Sequence, residues 1–413
     1  MFPYMEMSIF VTNTLLFLAL YAEVFLLLAF LENAQSDKTG KKFAGKFPSV
    51  AVVVPCFNEE STVAATIESL LSLDYPKHKL SIIAVNDGST DGTRAVLSQF
   101  KNDPRITILS KQNGGKHSAM NLALTKTKAE YIGCLDADSF VASDALKISM
   151  QCLLEDGATA VTPAIIVHKP RRIIELIQQA EYVLSVFVRR AFASANAVFI
   201  TPGPFSLFKR DVLQKIGGWK HAHGTEDMEI AMRLQQNHFT IANSPRTQVF
   251  TTAPKTLRAL YKQRVRWTYG FLMNLWDYRT MVGNRSFGAL GTIVLPSALI
   301  SIGTVMYLTG LVVIYILNRI WSMFVKIDTV GIALNPALPT IDPFFINTTS
   351  AALLAYVLVG IALTLIWTGK RLADTKLHPA AVPLYMLVYC WIAPFWLAGA
   401  LIRAGFRAQA PWR

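Results

Sequence analysis

Four apolar runs divide this 413-residue chain, and each is long enough to cross a hydrocarbon core of about 30 Å. They cover residues 8–31, 290–317, 351–368 and 381–402. The last three contain no charged residue, and the first is interrupted only by Asn13 and Glu23. The runs predict one N-terminal transmembrane helix and a C-terminal membrane region of about three spans over 290–402, with a separate charged domain over 47–285. Residues 8–31 have neither a basic leader nor a small-residue cleavage site, so they are expected to anchor the chain and not to be removed.

Basic flanks set the expected orientation. No Lys or Arg precedes Ser8, whereas Lys38, Lys41, Lys42 and Lys46 follow Leu31, which places the N-terminus outside and the central domain in the cytoplasm. A four-span count brings the loop with Lys370, Arg371 and Lys376 to the same side. The tail breaks the pattern, because Arg403, Arg407 and Arg413 fall outside. Either 381–402 is re-entrant, helped by Pro383 and Pro394, or the stretch 290–325 crosses twice.

The net charge of +13 is concentrated between about Lys38 and Arg285. No RNP, helix-turn-helix or zinc-finger spacing accompanies it, so nucleic acid is not an expected partner. Basic residues beside membrane runs suit anionic headgroups and a pyrophosphate-bearing substrate. Cys56, Cys134, Cys152 and Cys390 have no paired spacing, and no disulfide is expected.

The central domain opens as an α/β unit. Residues 49–55 form a near-continuous β-branched run, the mark of a strand covered on both faces. A helix is predicted over 61–72, then a strand over 80–86 that ends in Asp87-Gly88-Ser89-Thr90-Asp91-Gly92. After a further strand over 106–109, Gly114-Gly115-Lys116 opens a helix to about residue 127, and a strand over 131–135 delivers Asp136. In open α/β sheets ligands bind beyond the carboxyl ends of the strands, so these motifs should converge on one crevice.

Each motif alone has a plain structural reading. Asp-Gly-Ser is turn chemistry, and Gly114-Gly115-Lys116 lacks the Walker spacing of a phosphate cradle. Position changes the weighing for Asp136-Ala137-Asp138: paired carboxylates at the end of an apolar strand suit Mg²⁺ or Mn²⁺, which can bridge a diphosphate.

Two helical stretches follow. In 163–190, Ile173, Leu176, Ile177, Ala180, Val183, Leu184 and Phe187 recur at helical spacing, with Arg171-Arg172 and Arg189-Arg190 at the ends. The segment from about 171 to 190 is expected to lie in the headgroup plane, with a core-facing helix as the alternative. A basic helix over about 256–279 carries Gln263, Arg266 and Trp267 and leads toward Leu290.

Seven motifs in order complete the picture: Val54-Pro55-Cys56-Phe57-Asn58-Glu59, Asn86-Asp87-Gly88-Ser89, Gly115-Lys116, Asp136-Ala137-Asp138, Gly203-Pro204-Phe205-Ser206, Thr225-Glu226-Asp227 and Gln263-x-x-Arg266-Trp267. Together, over about residues 47–285, they resemble the processive family-2 glycosyltransferases, the group of poly-N-acetylglucosamine, chitin, hyaluronan and cellulose synthases. The resemblance implies a GT-A (Rossmann-like) catalytic domain inserted between transmembrane helices, a UDP-sugar donor, Mg²⁺ or Mn²⁺, and inversion by single displacement.

By the same resemblance Asp87 would bind the uracil, Lys116 and Asp136 would hold the nucleotide, and Pro55, Asn58 and Glu59 would line the donor site. Asp138 would ligate the metal. Asp227 would be the general base, with Glu226 setting its environment, and Gly203, Gln263, Arg266 and Trp267 would face the diphosphate and the acceptor sugar. Asn86 departs from the pattern, since many relatives carry a second Asp there. The short membrane region looks more like the poly-N-acetylglucosamine and chitin-oligosaccharide type.

Simple chemistry points the same way. Cleaving an anomeric C–O bond leaves a charged diphosphate that cations must neutralise, and a hydroxyl nucleophile needs a carboxylate free to act as base. Asp227 lies in a segment apart from Asp136 and Asp138. The expected protein is an integral plasma- or inner-membrane enzyme that polymerises and exports a β-linked polysaccharide from UDP-N-acetylglucosamine or, second, UDP-glucose. Its expected partners are the growing polysaccharide and membrane lipids, with room for accessory export subunits. One alternative is a lipid glycosyltransferase of the ceramide or polyprenyl-phosphate type, which makes a single glycolipid. Another is a non-enzymatic nucleotide-sugar sensor, which has no use for Asp227.

Overall fold

The computed structural model describes residues 2–33, 47–330 and 348–407. The basic flank from Lys38 to Lys46, and Arg413, lie outside the described residues.

Helix α1 (Phe2–Asn33) precedes the first strand, β1 (Val50–Cys56). Its valines alternate between two faces, as a strand requires. Val50, Val52 and Val54 join one core with Ile67, Leu70 and Leu146. Ala51 and Val53 join another with Met120, Ala123, Ile230 and Leu234. All five β1 residues are fully buried, which explains why the run reads as unbroken apolar sequence and not as an alternation.

Around β1 lie α2 (Val63–Leu71), β2 (Leu80–Asp87), α3 (Thr93–Ser98), β3 (Ile106–Lys111), α4 (Lys116–Lys126) and β4 (Tyr131–Cys134). Strands β3, β2, β1 and β4 are adjacent and parallel, so their carboxyl ends share one edge. The predicted strands and the helix at Lys116 are all present within a few residues.

The second half of the domain was not foreseen. Strands β5 (Ser139–Val141), β6 (Ala160–Val167), β7 (Leu207–Lys209) and β8 (Ile241–Thr251) extend the sheet to eight in the order β3-β2-β1-β4-β7-β6-β8-β5. Strand β7 is antiparallel to both β4 and β6. Strands β6 and β8 run parallel with a bulge at Pro163/Ala164. Helices α5 (Ala145–Glu155), α7 (Arg210–Lys215) and α8 (Glu226–Gln236) cover this half.

Of the stretch 163–190, the first part is therefore strand, and helix α6 runs Ile173–Ser194. Glu175 caps it by accepting from the Arg171 and Arg172 amides at 2.9 and 2.8 Å. Helix α6 packs against β6 and β8 and also against α12 (Ala381–Gly405). Buried Gln178 and Gln179 donate to the Pro254 and Lys376 carbonyls. Helix α9 (Leu257–Asp277) packs on α12 as well.

Helices α10 (Leu295–Val330) and α11 (Ser350–Leu372) lie between α9 and α12 in sequence. Among the described residues, four helices are long and apolar enough to span a bilayer, at Met7–Glu32, Leu290–Thr329, Ser350–Leu372 and Ala381–Gly405. Neither explanation for the arginine-rich tail is seen. Helix α10 is one continuous helix and does not turn back, and α12 runs unbroken through Pro394.

The chain divides into two compact units. One comprises residues 1–25 and 296–363, where the Tyr307 hydroxyl lies 3.3 Å from Ser8 and Ser350 donates to Asn13 at 3.4 Å. The other comprises residues 26–295 and 364–413 and holds the sheet together with α12.

Candidate active site

Three loops interlock at the carboxyl edge of the parallel strands. Asp87, at the end of β2, is only 3% exposed and accepts from Lys111 Nζ (2.7 Å) and from the amides of Gly114 (3.1 Å) and Gly115 (2.8 Å). Its oxygens are thus engaged in shaping the loop before Lys116. Gly88 has φ of 76°, and a Cβ there would sit 2.7 Å from the Asn113 amide nitrogen, so the turn demands glycine twice over. Asn58, at φ 56°, donates its amide to Ser89 Oγ (3.1 Å) and accepts from the Thr90 amide (2.9 Å). The Glu59 amide donates to Thr93 (2.8 Å), and its carboxylate accepts from Thr62 (2.8 Å). Hydrogen bonds thus tie Asn58 and Glu59 to the loop after β2 and Asp87 to the loop before Lys116, while Pro55 lies on β1 opposite Val85 of β2.

Lys116 is the first residue of α4, after Gly115 at φ 85°. Its Nζ lies 2.6 Å from Asp136 Oδ1 and 3.5 Å from Glu226 Oε1. Burial opposes the ammonium, but Asp136, Cys134 and Glu226 outweigh it and hold its pKa well above the ordinary lysine value. Gly203 makes room for this contact, because a Cβ there would collide with Lys116 Nζ and come within 3.1 Å of Asp136. A cavity of about 10 Å³, room for about one water, is lined by Lys116, Thr201, Gly203, Glu226 and Asp227.

Asp227 lies in the first turn of α8, and its carbonyl accepts from both the amide (3.0 Å) and hydroxyl (2.8 Å) of Thr201. Burial, then the neighbouring Glu226, push its carboxyl from 3.8 up to about 6, while Lys116 and Arg266 pull the other way. The three acids are differently placed: Asp136 and Glu226 face the ammonium, and Asp227 stands beside them as a carboxyl of raised basicity.

The loop before α8 is seated on α9. Arg266 donates to the Gly224 carbonyl at 2.9 Å, and Asn274 Nδ2 to Thr225 Oγ1 at 2.8 Å. Between them Gly270 faces the Thr225 side chain with no space for a Cβ. Tyr278 continues the line and donates to Glu229 at 2.6 Å. These positions recur every four residues on one helix face. Sequence reading found Arg266 but missed Gly270, Asn274 and Tyr278, for which that spacing was the available signal. Gln263 Oε1 is buried with no hydrogen-bond partner, and Trp267 is half-buried with the Arg264 guanidinium 4.3 Å from its ring centre.

Among the described residues no group of three or more His, Cys, Asp or Glu side chains could hold a metal by itself. Asp136 and Asp138 nevertheless suit Mg²⁺ or Mn²⁺, which are commonly held by one or two carboxylates completed by substrate phosphates and water. Asp138 accepts from Ser139 Oγ at 3.2 Å, and the absent Cβ of Gly203 leaves the Asp136 oxygens uncovered on one side. The four cysteines are free.

Comparison with known proteins agrees with this geometry. The pattern of the family "Glycosyltransferase like family 2" matches residues 48–270. The poly-beta-1,6-N-acetyl-D-glucosamine synthase of Staphylococcus epidermidis is 32% identical over 226 residues, which is 54% of this chain and 54% of that protein. The synthase of the same name from Staphylococcus aureus (strain COL) has the same identity and coverage. The chain thus spans about half the length of the curated relatives it matches. Among solved structures, mannosyltransferase PcManGT from Pyrobaculum calidifontis in complex with GDP-Man and Mn²⁺ superposes with a TM-score of 0.61 over 96% of this chain and 99% of its own, at 19% identity. That likeness is one of fold. With its curled Rossmann-like sheet, its crevice of acids and the family match across more than half its length, the chain belongs to glycosyltransferase family 2 and is a glycosyltransferase.

Proposed function

We propose that this membrane glycosyltransferase is processive and inverting, and that it builds a β-linked polysaccharide from a UDP-sugar and exports it. UDP-N-acetylglucosamine is the first choice of donor, after the named activity of the staphylococcal relatives, and UDP-glucose the second. The observation that carries the reading is the separation of duties between Asp227 and the Lys116–Asp136 pair. A carboxyl raised to about 6 beside an ammonium-bridged acid pair suits a base that works on the acceptor and not on the donor.

In this mechanism Asp227 takes the proton of the acceptor hydroxyl as its oxygen bonds the anomeric carbon from the face opposite the leaving diphosphate. Lys116 and Arg266 offset the charge that grows on the leaving group. Glu226 keeps Lys116 oriented and raises the basicity of Asp227. Asp138, with Asp136, would hold Mg²⁺ or Mn²⁺, whose role when bound is to neutralise the diphosphate. Asp87, Pro55, Asn58 and Glu59 form the nucleoside side, and Gly203, Gln263 and Trp267 the acceptor side. Helices α6 and α9, both docked on the apolar α12, would lie at the cytoplasmic headgroup plane.

The test is product analysis. Purified protein in sealed vesicles, supplied with one labelled UDP-sugar at a time, should make long polysaccharide early in the reaction and deliver it across the bilayer. A single glycolipid extractable into organic solvent would instead identify a lipid glycosyltransferase, and short oligosaccharides left on the donor side would refute export.

A further inference from the structure

The loop between α7 and α8 is held from two sides. At its end α9 seats Gly224 and Thr225. At its start the grip comes from α4, the helix that begins with Lys116. Asn121 of α4 accepts from the Trp219 amide at 2.8 Å and donates Nδ2 to the Trp219 carbonyl at 2.7 Å. A side-chain amide offers donor and acceptor side by side, so this one residue takes both backbone groups of Trp219. Gly218 leaves room for it, because a Cβ there would collide with Asn121 Oδ1. Arg233 of α8, itself buried, donates to the Ile216 and Gly218 carbonyls on the approach to Trp219.

The clasped residue borders the acids. Trp219 is 5% exposed, packs edge-on against Phe208 and lines the same cavity as Lys116, Glu226 and Asp227. Between Trp219 and Thr225 the backbone is strained: Ala222 and His223 sit at φ 47° and 54°, left-handed for residues other than glycine. Such positions persist where the surroundings over-determine them. Here the surroundings are the Asn121 clasp, the His117 ring of α4 edge-on to His221 at 5.3 Å, and the α9 seat. Losing a holding contact lets the segment relax and moves the turn that follows it.

We infer that Asn121 is a positioning residue for sugar transfer: through Trp219 it registers the Thr225–Glu226–Asp227 turn against Lys116, which opens the same helix. The inference rests on the reading of Asp227 as the base. Asn121 acts through the loop, while Lys116 stays fixed on α4 with or without the clasp. Its loss therefore appears in the rate of transfer and not in the hold on the donor nucleotide, and it is independent of which polymer the enzyme makes.

The full chain in phosphatidylcholine vesicles is assayed for transfer from labelled UDP-N-acetylglucosamine, or from UDP-glucose where wild type uses that sugar, with rates scaled to the folded fraction. Asn121→Ala should lower kcat by about tenfold or more while donor KM changes by less than about threefold, and amide exchange should quicken across residues 219–225. Asn121→Asp keeps the bond from the Trp219 amide and should recover part of the rate. Thr125→Gly weakens the same helix at an exposed position and should leave kcat at the wild-type value. In an Asp227→Asn background, Asn121→Ala should cost less than about twofold, because the group it positions is gone. The role of Asn121 is overturned if Asn121→Ala keeps the wild-type kcat, if its loss falls on donor KM, if Thr125→Gly loses as much, or if the full loss persists in the Asp227→Asn background. Near-wild-type turnover by Asp227→Asn alone would instead overturn the base, and this inference with it, so the two failures are told apart by which single variant stays active.

Discussion

Asn274 of α9 donates to Thr225 Oγ1 at 2.8 Å, and Thr225 is the residue directly before the Glu226–Asp227 pair. The helix that carries Arg266 thereby also fixes the acids that Arg266 faces. The cation and the base of the proposed mechanism are thus both held through one helix.

Replacing Asp227 by Asn should lower turnover by at least about 10²-fold, the usual loss for a positioned base, while nucleotide binding persists. Equilibrium binding of the donor nucleotide and single-turnover rates, measured on the same preparation, separate the two effects. Near-wild-type turnover would remove the assignment.

The pH profile follows from the raised carboxyl. Asp227 acts ionised, so kcat/KM should climb with pH up to about 6 and level off above it. Arg266 lowers this carboxyl, so Arg266→Gln should move the inflection upward. The stability sign is the reverse: a carboxyl raised from 3.8 to about 6 on folding favours the folded state at low pH and loses that contribution as pH rises through the same window. Asp227→Asn should flatten that part of the stability curve.

Gly270→Ala sets two effects against each other. Within a helix the change normally stabilises by about 1 kcal/mol, but here the added methyl meets the Thr225 side chain. Turnover should fall by about tenfold or more through displacement of the Glu226–Asp227 turn. An unchanged kcat with a higher melting temperature would show that the seat does not position the acids.

Chelator should abolish transfer, and Mg²⁺ or Mn²⁺ should restore it. Asp138→Asn should weaken nucleotide binding only when the metal is present, a difference that calorimetry with and without metal reads directly. Full activity in excess chelator would end the metal assignment.

The parallel half of the domain was legible because its strands are β-branched runs closed by acidic or glycine-rich turns, as at Asp87 and Asp136. The other half was not. Strand β8 includes Asn243, Ser244 and Pro245, and β6 includes Pro163 at a bulge, so neither offers a clean period. Helix α6 was legible as a helix but not in its packing: Gln178 and Gln179 are buried against the Pro254 and Lys376 carbonyls, partners far away in sequence. The seat on α9 escaped notice because a glycine within a helix reads as a weakness until a neighbour is seen to occupy its missing side chain. Asp87 was legible as a position, but its bonds to Lys111, Gly114 and Gly115 show a loop-shaping task that its motif did not reveal.

The packing of α12 bears on the order in which such a chain can be made. Ala381 contacts Leu176 and Ala180, and Ala393 and Trp396 contact Leu260 and Val265, although α10 and α11 intervene in sequence. Chains emerge from the N-terminus onward, so the seams of α6 and α9 stay uncovered until those membrane helices have been synthesised. The soluble-looking domain cannot finish its own core ahead of membrane insertion, and a nascent chain stalled before α12 would present bare apolar surface to chaperones and proteases.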